Sequence, residues 1–339
     1  MNREIRSLTG LRGIAALWVV ACHWSGPELS GTSRDIALHG YVAVDLFMIL
    51  SGFVLALTYR PDRSYGRFVL HRLCRLYPLY ALATLVCMIE LWWAGVGVFA
   101  PGGGAVVPAI LSNFLLTTTN LWEVDAFDGP SWVVTVEFGL NLAVPIFVAV
   151  CLRSSRSAAV VVAIVCGVVL AGVSVLNWRL DGGVLGEVGT LDTRLMYFRC
   201  GTAFALGMLC WRFWRQYGGT VPLLPVVLAM LAMTPFKALD LPFVAATCVL
   251  IVGLASDNGW IAAALGSPVP RWLGTISYSL YLWHIAFLPL RPVLIGWLPA
   301  TGAVQAVNTI NLVLVLAFST ASFRWFEAPL GRYLRRVFP

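Results

Sequence analysis

The chain has 339 residues, of which 59% are hydrophobic and only 12% charged, about half the ~25% charge of an average soluble domain. With a mean hydropathy of +0.83 it has too little charge to cover a solvated exterior. That excludes disordered, collagen-like and nucleic-acid-binding classes and leaves an integral membrane protein. The net charge of +7 comes from 23 basic residues, with Lys237 the single lysine. Guanidinium suits bidentate phosphate contacts, and an arginine bias follows equally from a GC-rich genome.

Eleven apolar runs follow in chain order, at 8–25, 38–58, 77–94, 105–121, 131–152, 157–178, 194–214, 220–236, 241–256, 273–290 and 304–325. They are unbroken rather than alternating, which predicts helices and not a β-barrel. No small-x-small cleavage site follows the first run, so it reads as a retained helix and not a signal peptide. The eight cysteines sit mostly inside the runs with no CxxC or Cys/His cluster, and read as small buried hydrophobes rather than disulfides or metal ligands. No repeat and no stretch long enough for a separate soluble domain interrupts them, so residues 1–339 are expected to form one transmembrane domain with no appended soluble domain.

Charge orients the runs. If all eleven cross, the basic loop residues split almost evenly between the two sides. If the fourth run does not cross, they split 17 inside to 5 outside, with Arg199 left within a span, which matches the positive-inside bias. The fourth run is also the most polar, with Pro108, Ser112, Asn113 and three consecutive threonines. The expectation is an all-α protein of about ten transmembrane helices plus one re-entrant or interfacial segment, both termini cytoplasmic. Residues 123–128, an acidic stretch, then face outward.

Ionisable residues inside spans are costly and are functional candidates by default. Arg12 and His23 are eleven residues apart, which on a helix is about 16 Å and three turns plus ~20°. They share one face, Arg12 near the inner end and His23 near the outer. His23, Asp45, Glu137 and His284 come from four runs and fall at similar depth in the outer third. Two imidazoles beside two carboxylates can make an acid–base site, with a carboxylate fixing the tautomer of a base. They can equally form a polar network that holds helices together. Glu90 lies near the same depth.

On the cytoplasmic side, 65–78 reads as an amphipathic interfacial helix that Pro78 ends. Arg72 and Arg75 share a face at i,i+3, with Arg67 nearby. They serve either as an anchor on anionic headgroups or as a pocket for a phosphorylated cofactor. Residues 274–284 pack Ser277, Tyr278, Tyr281 and Trp283 into one run. Tyr278 there is a candidate donor to a thioester carbonyl, and the whole run a candidate for interhelical glue.

These pieces in this order resemble the acyltransferase-3 family of membrane O-acyltransferases. The resemblance rests on Leu11-Arg12-Gly13 through His23, on Val44-Asp45-Leu46-Phe47 through Ser51-Gly52-Phe53, and on Arg67-Phe68 with Arg72-x-x-Arg75-Leu-Tyr-Pro. It continues in Ser131-Trp132 through Glu137, in Ile276 through His284, and in Phe326-Glu327-Ala328-Pro329. The fourth motif departs from the family's in its Val-Val-Thr, and His71 stands where an arginine is often seen.

The resemblance implies transfer of an acyl group, usually acetyl from acetyl-CoA or another short acyl-CoA, to a hydroxyl of a carbohydrate or glycolipid acceptor. His23 is the expected general base, with Asp45 or Glu137 orienting it. Tyr278 is the expected oxyanion donor and His284 a second shuttle or a structural residue. Arg72 and Arg75, helped by Arg12 or Arg67, are expected to bind the CoA phosphates. No metal and no nucleic acid enter this reading. Lipids surround the protein, a homo-oligomer stays open, and the family-level location is the bacterial cytoplasmic (inner) membrane, multi-pass. A proton-coupled transporter and a polysaccharide-export component use the same intramembrane groups and stay open on the residues alone.

Overall fold

The computed structural model describes residues 4–24, 29–60, 64–118, 126–181, 193–290, 294 and 303–338. Arg3, Arg63, Arg291 and positions 123–125 of the acidic stretch lie outside the described residues, as do the side chains of Arg179 and Arg194. Among the described residues every regular element is a helix. The helices group into two units: residues 1–61 with 142–275, and residues 62–141 with 276–339.

The first unit contains α1 (Arg6–Trp24), α2 (Gly31–Leu38), α3 (Ala43–Thr58), α7 (Val144–Phe147), α8 (Arg156–Asp181), α9 (Thr193–Tyr217), α10 (Leu223–Met233), α11 (Asp240–Leu254) and α12 (Trp260–Leu265). It also takes the start of α13 (Pro268–Ala286). Its centre is α3 packed along α9. A Cβ added at Gly52 would lie against the Phe204 carbonyl, and one at Gly207 against the Ile49 carbonyl. The two backbones therefore touch where only glycine fits, the usual way helices associate when lipid removes the hydrophobic drive between them. Phe53, Phe204, Ile49 and Met208 fill the seam and are fully buried.

The second unit contains α4 (Tyr65–Ala94), α5 (Val106–Phe114), most of α6 (Trp132–Leu142), the rest of α13, α14 (Ala303–Ser322) and α15 (Ala328–Val337). The anticipated stop at Pro78 is corrected: α4 runs through it for 30 residues. Proline removes one helical hydrogen bond, and Tyr278 donates its hydroxyl to the Leu76 carbonyl at 2.6 Å, beside the weakened turn. Gly95, at φ 63°, then caps α4 in the left-handed conformation. Thirty residues rise about 45 Å, more than the ~30 Å hydrocarbon core, so α4 has the length to carry its arginine-bearing end beyond the bilayer.

The apolar run 131–152 is not one helix. It breaks at Ala143, ahead of Pro145, which cannot donate to the preceding turn. The fourth run gives α5, nine residues long, about 14 Å. Helix α5 by itself is too short to cross, and positions 119–121 of the run lie outside the described residues.

Among the described residues five helical segments are long and apolar enough to span, or six if the broken pair counts as one. The charge bias predicts ten. The difference lies partly in α1, α9 and α13, which have 19, 25 and 19 residues and so have about the length of a span. On α9 and α13, Arg199, Ser277, Tyr281 and His284 are buried in protein, where apolar composition is not required.

Candidate functional site

In the first unit, His23 sits in the last turn of α1, exposed. Its Nδ1 lies 2.9 Å from the Val19 carbonyl, one turn back. A carbonyl only accepts, so Nδ1 carries the proton and the neutral ring keeps its lone pair on Nε2. That is the tautomer a base needs, and the helix's own backbone holds it there.

Asp45 is differently engaged. It is buried on α3, and Arg199 of α9 donates to both its oxygens, from Nε at 3.0 and 3.2 Å and from Nη2 at 2.6 Å. Arg199 Nη2 also reaches the Tyr41 carbonyl at 3.2 Å. The tautomer-fixing partner expected from Asp45 or Glu137 is supplied at Nδ1 by Val19. Asp45 itself neutralises a fully buried guanidinium. Arg12, assigned to phosphate binding by resemblance, gives Nε and Nη2 to the Gly274 carbonyl at 3.2 and 2.6 Å.

A second buried network in this unit went unread in the sequence. His39 Nδ1 donates to the Thr234 carbonyl at 2.7 Å, and its Nε2 lies 2.5 Å from Asp240 Oδ1. Tyr41 donates to the same carboxylate at 2.9 and 3.1 Å, and the Arg199 guanidinium stacks over the Tyr41 ring. One chain of contacts thus joins Asp240 to Asp45. Its long separations, 154 residues for Arg199–Asp45 and 201 for His39–Asp240, leave no local pattern to find. The one available signal was Arg199 itself, a lone arginine inside an apolar run.

In the second unit, Arg67, Arg72 and Arg75 stand on the first turns of α4. Arg67 and Arg75 are exposed and Arg72 is part-buried over the Phe68 ring. Glu137 of α6 is within electrostatic reach of Arg72 and of Tyr278. Tyr278 also senses Arg75 and Glu327. The one hydroxyl proton of Tyr278 is given to Leu76, so the oxyanion role needs that bond released. His284 is fully buried and donates Nδ1–H to the Tyr281 carbonyl at 2.7 Å. His71 meets the Phe338 carbonyl at 2.8 Å.

The aromatic and hydroxyl run on α13 pins helices together. Tyr281 donates to the Pro130 carbonyl at 2.7 Å, Ser279 to Glu327 at 2.7 Å and Trp283 to Ser322 at 3.0 Å. Glu327 closes the π-helical turn Phe323–Glu327, a form often met at functional sites.

Asp128 lies beside this set, fully buried ahead of α6. Burial pushes its carboxyl well above the usual range, and Glu90 adds to the shift. The folded chain therefore keeps a proton that the unfolded chain releases. Stability falls as pH rises above the ordinary carboxylate value toward the raised one, by up to about 1.4 kcal/mol per unit. Asp128→Asn is expected to flatten that slope. Thermal midpoints of both proteins across a pH series check it, and equal slopes would refute it.

Among the described residues no group of three His, Cys, Asp or Glu is placed to hold a metal ion. The first unit thus carries an exposed histidine whose Nδ1 faces its own helix backbone, and the second an arginine-bearing helix end, both within an otherwise apolar membrane protein. The chain belongs to the acyltransferase-3 family, described as an acyltransferase domain, whose profile matches residues 5–323. It is similar to the acyltransferase MdmB of Streptomyces mycarofaciens, 33% identical over 158 residues, covering 42% of this chain and 39% of that one. It is also similar to the peptidoglycan O-acetyltransferase OatA of Listeria monocytogenes, 25% identical over 368 aligned positions, covering 98% of this chain and 56% of that one. The chain thus spans about half the length of the latter and less of the former. No solved structure matches it.

Proposed function

We propose that the protein is a membrane O-acyltransferase that moves an acyl group, acetyl by preference, from a cytoplasmic acyl-CoA to a hydroxyl of a carbohydrate or glycolipid acceptor. Family membership and the O-acetyltransferase named among its relatives support the reaction class. The observation that carries the mechanism is the His23 ring, with its Nδ1 proton on Val19 and its lone pair on Nε2.

The acceptor hydroxyl attacks the thioester carbonyl while its proton passes to His23 Nε2. The tetrahedral oxyanion collapses, the C–S bond breaks, and the CoA thiolate takes the proton that His23 holds. Base catalysis of this kind is worth ~10²–10⁴-fold. Glu137, near Arg72 and Tyr278, sets the charge around the second unit's polar groups. Arg72 and Arg75, with Arg67, bind the CoA phosphates. Among the described residues no carboxylate forms an ion pair with any of the three. The setting is a bacterial cytoplasmic membrane.

The test is binding of acetyl-CoA to the purified full chain in detergent. Saturable binding is expected, and Arg72→Ala with Arg75→Ala should weaken it roughly 10–100-fold, as two charge-assisted contacts are lost. A wild type that binds no acetyl-CoA, or a double variant that binds it equally well, refutes the donor assignment.

A further inference from the structure

The second unit holds polar side chains that the base and donor assignments leave unused. Tyr80, Thr84, Cys87 and Glu90 follow at three- or four-residue spacing and so share one face of α4. The first three are buried, and Glu90 is partly exposed toward the outer end of the helix. Asp128 and Ser131 stand against this face. The Tyr80 hydroxyl lies near those of Thr84, Ser131 and Thr135 and gives its own proton to the Asn113 carbonyl at 2.7 Å, and the Asp128 carboxyl is within electrostatic reach of Tyr80, Cys87 and Glu90.

Asp128, Ser131 and Thr84 are at most 1% exposed. Yet both carboxyl oxygens of Asp128, Ser131 Oγ and Thr84 Oγ1 have no hydrogen-bond partner among the described residues. Asp128 occupies the position before the short helical turn Gly129–Ser131, where an aspartate side chain ordinarily caps. Its backbone carbonyl takes the Ser131 N–H at 2.7 Å, while its carboxyl makes no capping bond. A buried polar atom left unmet forfeits a bond that water would supply. Four such atoms on two neighbouring segments need an explanation, and a ligand that satisfies them is the simplest.

The chemistry selects the ligand. Serine and threonine hydroxyls each donate and accept, and a protonated carboxyl does both across its two oxygens. Paired donors and acceptors match alcohols. A cation would use acceptors only and leave both hydroxyl protons unmatched.

We propose that Asp128, Ser131 and Thr84 form a binding site for a neutral polyhydroxy ligand of carbohydrate type. Its assignment as the acceptor subsite rests on the acyl-transfer reading above. On that reading Asp128 is a specificity-determining residue that selects which hydroxyl is presented.

The test uses the full chain in detergent and follows its thermal midpoint with methyl glucoside, methyl galactoside, methyl mannoside and methyl N-acetylglucosaminide as probes. At least one glycoside is expected to raise the wild-type midpoint by a few degrees. Asp128→Leu should abolish that shift while raising the ligand-free midpoint, because the unmet carboxyl is gone. Asp128→Asn, which keeps the shape if Asp128→Leu fails to fold, should retain only part of the shift. A wild type that no glycoside shifts overturns the site, as does an Asp128→Asn response equal to the wild type's. A response to ethylammonium in place of glycosides also overturns it. Acetyl-CoA is the separate arm and should shift wild type and both variants alike. A protein that answers glycosides but not acetyl-CoA keeps this site and loses the acyl-transfer reading. The converse keeps that reading and loses the site.

Discussion

His23→Ala is expected to lower the rate of acyl transfer by ~10²–10⁴-fold while leaving acetyl-CoA affinity unchanged. The substitution removes Nε2, the atom that takes the hydroxyl proton, and with it the Nδ1 bond to the Val19 carbonyl of its own helix. His23 is exposed, so little packing is lost and the fold should persist. Product formation and CoA binding measured on the same preparation separate the effects. A variant with unaltered turnover removes His23 as the base. A variant that loses CoA binding as well makes His23 a residue of the donor site or of the fold. His23→Gln sharpens the measurement, because its amide can donate to Val19 but has no basic nitrogen, and it should be as inactive as the alanine variant.

The second large effect concerns Asp45 and Arg199. Replacing Asp45 by Asn, or Arg199 by Met, removes one member of a buried ion pair and leaves the charge of the other behind. Breaking a buried pair in this way costs about 3–5 kcal/mol. Each single variant should therefore unfold at markedly lower temperature or fail to accumulate. The double variant Asp45→Leu with Arg199→Met should recover much of that loss, since a fully apolar pair of similar volume often matches an ion pair in stability. Thermal midpoints of the two single variants and the double variant give the coupling directly. Singles that melt like the wild type would contradict the bidentate pair. If the double variant is stable yet inactive, the pair serves catalysis as well as the fold.

The two predictions draw on residues that differ in how readable they were. Helix α1 is legible in one dimension: eleven residues put Arg12 and His23 on one face, and the turn before His23 supplies the Val19 carbonyl. The broad membrane class also follows from composition alone. Helix α4 was half readable. Its arginine face was plain, but Pro78 looked like an end because a bond between Tyr278 and Leu76, 202 residues apart, has no trace in local sequence. Asp45 was found for the right reason, an acid inside an apolar run, and given a different partner. Its true one, Arg199, had been set aside as the odd charge in the topology count. His39, Asp240 and Tyr41 were missed altogether, since each looks like an ordinary residue at a helix end until the fold brings them together. Asp128 was read only as part of an outward acidic stretch, and burial is a property no spacing reports.

The Arg199–Asp45 pair has an electrical consequence. A single charge moved across a membrane potential gains or loses about 2.3 kcal/mol per 100 mV. Helices α3 and α9 carry opposite charges held together at 2.6 Å, on backbones already in contact through Gly52 and Gly207. Any shift of the pair along the field moves this plus and minus together, so the pair itself does no net electrical work. The membrane voltage therefore acts on α9 through its other arginines, Arg212 and Arg215 among them, and the buried pair at the seam adds nothing to that pull.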